Sequence, residues 1–198
     1  MTEGERRYRL RCLDKLGFAF RGDERVLDAG YGNGGVALLL RERAHEIVAV
    51  DLEPFDTWQD EPGLIFEVAN VENLPFEDAS FDVVHSKDSL HHMEQPERAI
   101  AEYSRVVKPG GHVLIVEANR YNPVFYPHMT LALGHQHFTR RRFHGLVRSA
   151  FSDVRFGAFE AHYVPGLSAR LQHVFEQALE HVPPFRPLLS YNFAVAAV

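Results

Sequence analysis

Cysteine is nearly absent: Cys12 is the one thiol in 198 residues, which excludes an intramolecular disulfide, a CxxC redox pair and a cysteine-rich zinc site. Long apolar runs are missing too. Val36–Leu40 is stopped by Arg41, and no run approaches the ~18 residues that a membrane span needs. Nor is there an excess of positive charge. With 21 Lys and Arg against 27 Asp and Glu the formal charge is −6, so no global field gathers nucleic acid or anionic lipid. The charged stretch Met1–Arg11 has no apolar segment and small-residue cleavage site behind it. A secretory leader is therefore not expected, and the predicted location is the cytoplasm. What is present is ordinary for a globular protein, 45% hydrophobic and 24% charged residues, in a length suited to one domain with one core.

Between Arg25 and Ala118 short apolar runs alternate with longer mixed segments, the pattern of βα units on a mostly parallel sheet. Strands are predicted at Arg25–Asp28, Ile47–Asp51, Leu64–Val68, Phe81–His85 and His112–Glu117. Their near-continuous apolar character fits strands covered on both faces. Helices are predicted at Glu5–Leu16, Gly34–Arg43 and Pro96–Val107, the last stopped by Lys108-Pro109-Gly110-Gly111. Asn119–His137 has no clean period and carries Tyr121, Phe125, Tyr126, His128, His135 and His137; it is predicted to be a lid. A helix over Thr139–Ala150 with Thr139 as its cap, a strand over Asp153–Glu160, a helix over Leu167–His181 and a last strand over Leu188–Val198 follow. The last two strands are expected to pair antiparallel.

The most informative stretch is Val26-Leu27-Asp28-Ala29-Gly30-Tyr31-Gly32-Asn33-Gly34-Gly35, a strand running into a glycine-rich turn that opens a helix. Glycine permits positive φ and close backbone approach, and the following helix is expected to present N-terminal amides to a ligand. The second strand ends in Asp51, whose carboxylate can accept both hydroxyls of a ribose. The pair points to a nucleoside cofactor. Gly30, Gly32 and Gly35 also satisfy the GxGxxG pattern of nicotinamide-binding folds, with Asp51 at their acid position, so the loop alone leaves two cofactors open.

The run Asp28-x-Gly30-x-Gly32-x-Gly34 resembles motif I of the class I S-adenosylmethionine (SAM) dependent methyltransferases, of the UbiE-like (type 11) superfamily. Asn73-Leu74-Pro75-Phe76 before Phe81-Asp82-Val83-Val84 is similar to that family's LPF segment and fourth strand. Leu90-His91-His92 resembles its LHH, and Val107-Lys108-Pro109-Gly110-Gly111 the turn before its fifth strand. The likeness covers Arg25–Glu117, and the region Phe138–Val198 resembles the family's closing helix, strand, helix and strand. It implies a single Rossmann-like α/β domain over residues 1–198. That domain is a three-layer sandwich with a seven-stranded mostly parallel sheet, helices on both faces and an antiparallel last strand. Residues 1–20 would form an N-terminal helical cap and residues 119–137 an acceptor-side lid.

The resemblance also implies a cofactor set. Asp28, Gly30, Tyr31 and Gly32 would lie at the methionine and ribose part of SAM, Asp51 at the ribose hydroxyls, Leu52 against the adenine and Asn70 and Val71 at its edge, with Ser86 after them. Asn70 stands where the family has Asp, and Tyr31 where it has a small residue, which with the short stretch Leu52–Gly63 implies an open adenine pocket. The product would be S-adenosylhomocysteine.

Methyl transfer from a sulfonium is an in-line displacement, so the protein mainly aligns donor and acceptor and excludes water. Where the acceptor must lose a proton, His91 and His92, just after the fourth strand, are the candidate bases. Ser86-Lys87-Asp88-Ser89-Leu90-His91-His92 resembles the SRDTILH stretch of phosphoethanolamine methyltransferases, whose final histidine is catalytic, which implies His92. In Gly134-His135-Gln136-His137 two histidines stand without a placed third ligand, so no metal is expected. Arg140-Arg141-Arg142 reads as a solvated helix start. The expected function is SAM-dependent methylation of a small-molecule acceptor, with no nucleic-acid or membrane partner and an oligomeric state that the sequence does not show. The rivals are a noncatalytic SAM-fold regulatory or assembly protein and a nicotinamide oxidoreductase.

Overall fold

In the computed structural model, strand β1 (Arg25–Ala29) sends Leu27 and Ala29 to one side of the sheet and Val26 to the other. Both sides are buried, which is why its apolar residues are consecutive rather than alternating. The same split recurs in β2 (Glu46–Asp51), where Val48 and Val50 face one layer and Ile47 and Ala49 the opposite one. The structure describes residues 1–56, 58, 62–123, 126–132, 134, 137–161 and 168–198.

Five further strands complete the sheet: β3 (Leu64–Val68), β4 (Phe81–Lys87), β5 (Val107–Ala118), β6 (Asp153–Phe159) and β7 (Tyr191–Ala197). They lie in the order β3-β2-β1-β4-β5-β7-β6. Strands β3 to β5 pair parallel through β2, β1 and β4, while β7 runs antiparallel to both β5 and β6. This is the expected seven-stranded sheet with its antiparallel last strand.

Helices α3 (Pro96–Val106) and α4 (Arg140–Arg148) cover one face through Ala99, Ile100, Tyr103, Phe143, Leu146 and Val147. On the other face α1 (Glu3–Asp14) buries Cys12 and Leu13, and α2 (Ala37–Leu40) buries Ala37, Leu39 and Leu40. Helix α5 (Ala169–His181) is tied to α1 by charge: the Arg11 guanidinium donates to Glu176 at 3.1 Å, and the ammonium of Lys15, just past α1, to Glu180 at 2.7 Å. As expected, Thr139 caps α4, its hydroxyl accepting the Arg142 amide at 3.2 Å. Among the described residues no helix is long and apolar enough to cross a membrane.

Most element ends shift by one to three residues, the last strand beginning at Tyr191 rather than Leu188, and two elements differ by more. The helix expected over Gly34–Arg43 is α-helical only at Ala37–Leu40, because Gly32 and Gly34 take left-handed φ values of 58° and 81° that no right-handed helix contains. Beyond Leu40 the chain tightens to i→i+3 bonds, as in Arg43 to Leu40 at 2.8 Å. Strand β5 begins at Val107 rather than His112; the Lys-Pro-Gly-Gly turn lies within it, at a register shift against β4 between Phe81 and Val83.

Ile115 sits fully buried in β5 between β4 and β7. Ile115→Val deletes one methylene there and is expected to cost about 1 kcal/mol, seen as a melting temperature lower by roughly 2–4 °C. An unchanged melting temperature would show that this layer repacks freely.

Candidate functional site

From β1 the chain crosses to β2 on one side, while β4 opens toward β5 on the other. The two halves of the sheet therefore wind away from each other between β1 and β4. Loops leaving the carboxyl ends of these strands diverge there and leave a crevice, the place where open α/β sheets hold ligands. A cavity of about 760 Å³ occupies it.

Its walls come from four strand ends. After β1 come Gly30, Tyr31 and Gly32; β2 ends in Asp51 and Leu52; Asn70 and Val71 follow β3; Lys87, Asp88, Ser89 and His92 end or follow β4. Eight of the eleven residues that the sequence singled out thus meet in one cavity. Asp28, Ser86 and His91 do not line it. Ser86 is fully buried and accepts the Tyr103 hydroxyl at 3.3 Å. The side chain of Asp28 is buried beneath the glycine loop, with Oδ1 2.7 Å from His85 Nδ1 and Oδ2 without a hydrogen-bond partner among the described residues.

The glycine loop is folded around its own amides. Gly30 and Tyr31 donate to the Val50 carbonyl at 2.8 and 3.3 Å, and Gly32 donates to Asp51 Oδ2 at 2.8 Å. Gly34 donates to the Tyr31 carbonyl and Gly35 to Asn33 Oδ1, both at 3.4 Å. A pyrophosphate would need such amides vacant. The short α2 supplies no substitute.

Tyr31 does not intrude into the crevice as a bulky replacement for a small residue. Its ring is largely buried, stacks on Phe66 at 5.2 Å and lies 5.2 Å from Trp58, whose indole donates to the Gly32 carbonyl at 3.2 Å. The three rings brace the loop from behind. Leu52 and Phe55 on the near wall are exposed, in keeping with an open pocket. The Asn70 side-chain oxygen accepts the Glu72 amide at 2.9 Å, leaving it one further lone pair for a ligand donor.

At the other end, β4 terminates in charge. Lys87 is packed between the rings of Tyr191, at 4.6 Å, and Tyr8, at 6.0 Å. Burial opposes its charge, but the Asp88 carboxylate, which its ammonium contacts, holds its pKa well above the usual lysine range. Asp88 takes a left-handed φ of 52°, a conformation that costs a non-glycine residue energy and is retained where geometry demands it. Its Oδ1 accepts the Ala118 amide at 3.0 Å, stitching the β4 turn to the end of β5.

Glu117, near the end of β5, organises the next turn. Its Oε1 accepts the amides of Ser89 and Leu90 at 3.1 and 2.8 Å, and its Oε2 lies 2.7 Å from His91 Nδ1. Burial disfavours the His91 cation, yet the Glu117 hydrogen bond and charge raise its pKa above the usual imidazole value. His91 is thereby turned inward while His92, its ring tilted against that of His91 at 4.0 Å, lines the cavity. Lys87, Asp88, Ser89 and Glu117 were not singled out from the sequence. The available signal was a charge at the carboxyl end of an otherwise apolar strand, as in Val113-Leu114-Ile115-Val116-Glu117.

In the lid region Tyr121 and Tyr126 are exposed. Phe125 and His135, and the side chain of His128, lie outside the described residues. The segment expected to form a lid is anchored at its start, where the Asn119 side-chain amide donates to the Leu189 carbonyl at 2.7 Å and that of Asn122 to the Leu188 carbonyl at 2.9 Å.

Residues 27–115 match the family described as a methyltransferase domain. An uncharacterized methyltransferase of Schizosaccharomyces pombe is 29% identical over 71% of this chain and 57% of its own length. The demethylmenaquinone methyltransferase of Renibacterium salmoninarum is 33% identical over 64% of this chain and 53% of its own. The chain spans about half the length of the curated relatives it matches. Among solved structures, the complex of the Haloferax volcanii Trm112 methyltransferase activator with a putative methyltransferase superposes with a TM-score of 0.72 at 18% identity, covering 98% of this chain and 90% of that one. With the glycine loop, the acid after β2, the strand order and these relatives in agreement, residues 27–115 form a methyltransferase domain, one similar to those of the class I SAM-dependent methyltransferases.

Proposed function

We propose that this chain binds SAM in the crevice between β1 and β4 and transfers its methyl group to a small-molecule acceptor. The observation that carries the reading is the sign of the crevice. Among its described lining residues, Asp51, Glu72, Asp88 and Glu94 stand against one cation, Lys87, which suits a sulfonium. The same wall opposes a dinucleotide: the loop amides that would hold its pyrophosphate are already bonded to Val50, Asp51, Tyr31 and Asn33. The nicotinamide reading of GxGxxG is therefore disfavoured.

The chain's residues fit the cofactor on two further counts. Asp28 Oδ2 is a buried acceptor beneath the loop with no hydrogen-bond partner among the described residues, a costly state that a donor from the methionine end of SAM would relieve once the loop shifts to admit it. A Cβ at Gly32 would meet nothing within 4 Å, so the loop leaves open space on the cavity side. Asp51 would accept the ribose hydroxyls, Leu52 and Val71 would cover the adenine and Asn70 would meet its edge.

SAM, when bound, supplies an electrophilic methyl and a good leaving group, S-adenosylhomocysteine. The protein's part is to hold the acceptor in line, to keep water away and, where the acceptor is a hydroxyl, an ammonium or an acidic carbon, to take its proton. His92 is the one histidine of the pair that lines the cavity. It would act as that base, with His91 and Glu117 positioning it. A relative named for demethylmenaquinone methylation supports a small-molecule acceptor. Residues 1–20 and 119–137 would close over the two ends of the site: Arg9 already lies against Gly35, and Tyr8 bonds Tyr191 at 2.5 Å.

Calorimetric titration with SAM, S-adenosylhomocysteine and NAD, followed by an acceptor screen, tests the reading. Micromolar binding of the adenosyl ligands without NAD supports it; binding without turnover on any acceptor would move the chain to the regulatory class. His92→Ala is expected to leave SAM affinity within about twofold while lowering kcat by roughly 10²–10⁴. An unchanged rate would return His92 to a packing role.

A further inference from the structure

We propose that His91, Glu117 and His137 form a binding site for a divalent transition-metal ion of the zinc class. From sequence, His137 stood in a two-histidine stretch with no third ligand in view. The fold supplies the missing donors: the turn after β4 brings His91, the end of β5 brings Glu117, and the segment before α4 brings His137. One ligand atom from each lies within 4.8 Å of the others. The His91 and His137 rings are 4.3 Å apart at an interplanar angle of 56°, so they converge rather than stack flat.

All three side chains are removed from water. His91 and Glu117 expose 2% and 1% of their side chains and His137 3% of its surface. Two imidazoles and a carboxylate are the donors of borderline ions, whereas magnesium and calcium prefer all-oxygen sets. An ion with ligand bonds of about 2.0–2.2 Å holds its donors ~3–3.5 Å from one another; His91 Nδ1 and Glu117 Oε2, hydrogen-bonded at 2.7 Å, would lose the proton between them and part by less than ~1 Å to take it. The carboxylate is also oriented as metal carboxylates are. Its Oε1 is held by two backbone amides, which leaves Oε2 as the single ligating oxygen. A hydrogen-bonded His91–Glu117 pair accounts for two of these groups; a second buried imidazole in the same cluster completes a three-donor set that the pair by itself does not require.

The ion would sit one ring behind the acceptor wall, since the His91 ring packs against that of His92 and His92 lines the cavity. It would pin the turn after β4, the end of β5 and the start of α4 together. This inference stands on the cluster alone and is independent of whether the chain methylates anything.

The test uses the full chain, stripped with chelator and dialysed. Titration with zinc chloride is expected to give one site at micromolar or tighter dissociation constant, a raised melting temperature and, by zinc-edge X-ray absorption, two imidazoles in the first shell. His137→Gln and His91→Gln are each expected to weaken zinc at least tenfold, while His173→Gln, at an exposed position of α5, leaves it unchanged. Cooperative melting and retained SAM binding report that the His137 variant is folded. No stoichiometric zinc binding by the unaltered chain, or equal binding in both ligand variants, overturns the proposal.

Discussion

Gly30→Ala is expected to reduce SAM affinity at least 100-fold and to lower the melting temperature by roughly 5–20 °C, on a loss of about 2–5 kcal/mol. Gly30 has φ +72°, and a Cβ there would stand 1.8 Å from Ser89 Oγ and 2.6 Å from Ser89 Cβ. The left-handed backbone costs an alanine about 1–2 kcal/mol, and the overlap adds a repacking cost of about 1–3 kcal/mol. Rotating the Ser89 hydroxyl away relieves only the first contact. The Ser89 Cβ is fixed by a backbone whose amide is bonded to Glu117 Oε1 at 3.1 Å. Either the glycine loop or the 89–92 turn must therefore move, and both are walls of the crevice. Adding Ser89→Gly to the variant removes the overlap but not the strain, so it should restore part of the melting temperature. Wild-type SAM affinity in Gly30→Ala would mean that the loop does not touch the cofactor.

The same contact explains what a sequence can and cannot disclose. Gly30 was recognisable because a strand running into closely spaced glycines has few uses. Ser89, the reason alanine is excluded there, is 59 positions away in chain numbering and carries no local mark. The strands were legible for a related reason. Residues such as Ile47 to Val50 are apolar at every position because helices cover both faces, and double burial writes itself into consecutive letters. The cap Thr139 and the antiparallel closing strands were legible from local patterns as well.

What stayed hidden was decided across strands. The helix after the glycine loop looked long because Val36–Leu40 is apolar, yet the left-handed glycines postpone its start, and propensity yields to backbone geometry. Ser86 borders the site in sequence but points into the interior toward Tyr103, since alternate residues of β4 face opposite layers. Glu117 was invisible for the converse reason: only the pairing of β4 with β5 brings it beneath Ser89 and Leu90. Side chains on one strand end are separated in sequence by a whole βα unit, so a site assembled at the sheet's carboxyl edge shows its glycines and its acids but not their partners.

Asp51→Ala is expected to raise the SAM dissociation constant by roughly 10- to 150-fold, from a loss of about 1.5–3 kcal/mol for hydrogen bonds to a charged group. In the reading proposed above this carboxylate accepts the ribose hydroxyls. The structure adds a second task, because Oδ2 accepts the Gly32 amide and Oδ1 the Leu52 amide, each at 2.8 Å. Removing the carboxylate therefore deprives the ribose of its acceptor and also frees the glycine loop. Asp51→Asn separates the two. Its remaining oxygen can still accept one of the amides, so the loop should stay placed while the charge and one acceptor are lost, and the affinity should fall between those of Ala and the unaltered chain. Melting temperature and binding would then dissociate: a small change in the first and a large one in the second for Asn, with both shifted for Ala. A folded Asp51→Ala protein with unchanged SAM affinity would place the ribose elsewhere, whereas equal losses for Ala and Asn would assign the whole effect to charge and none to the loop.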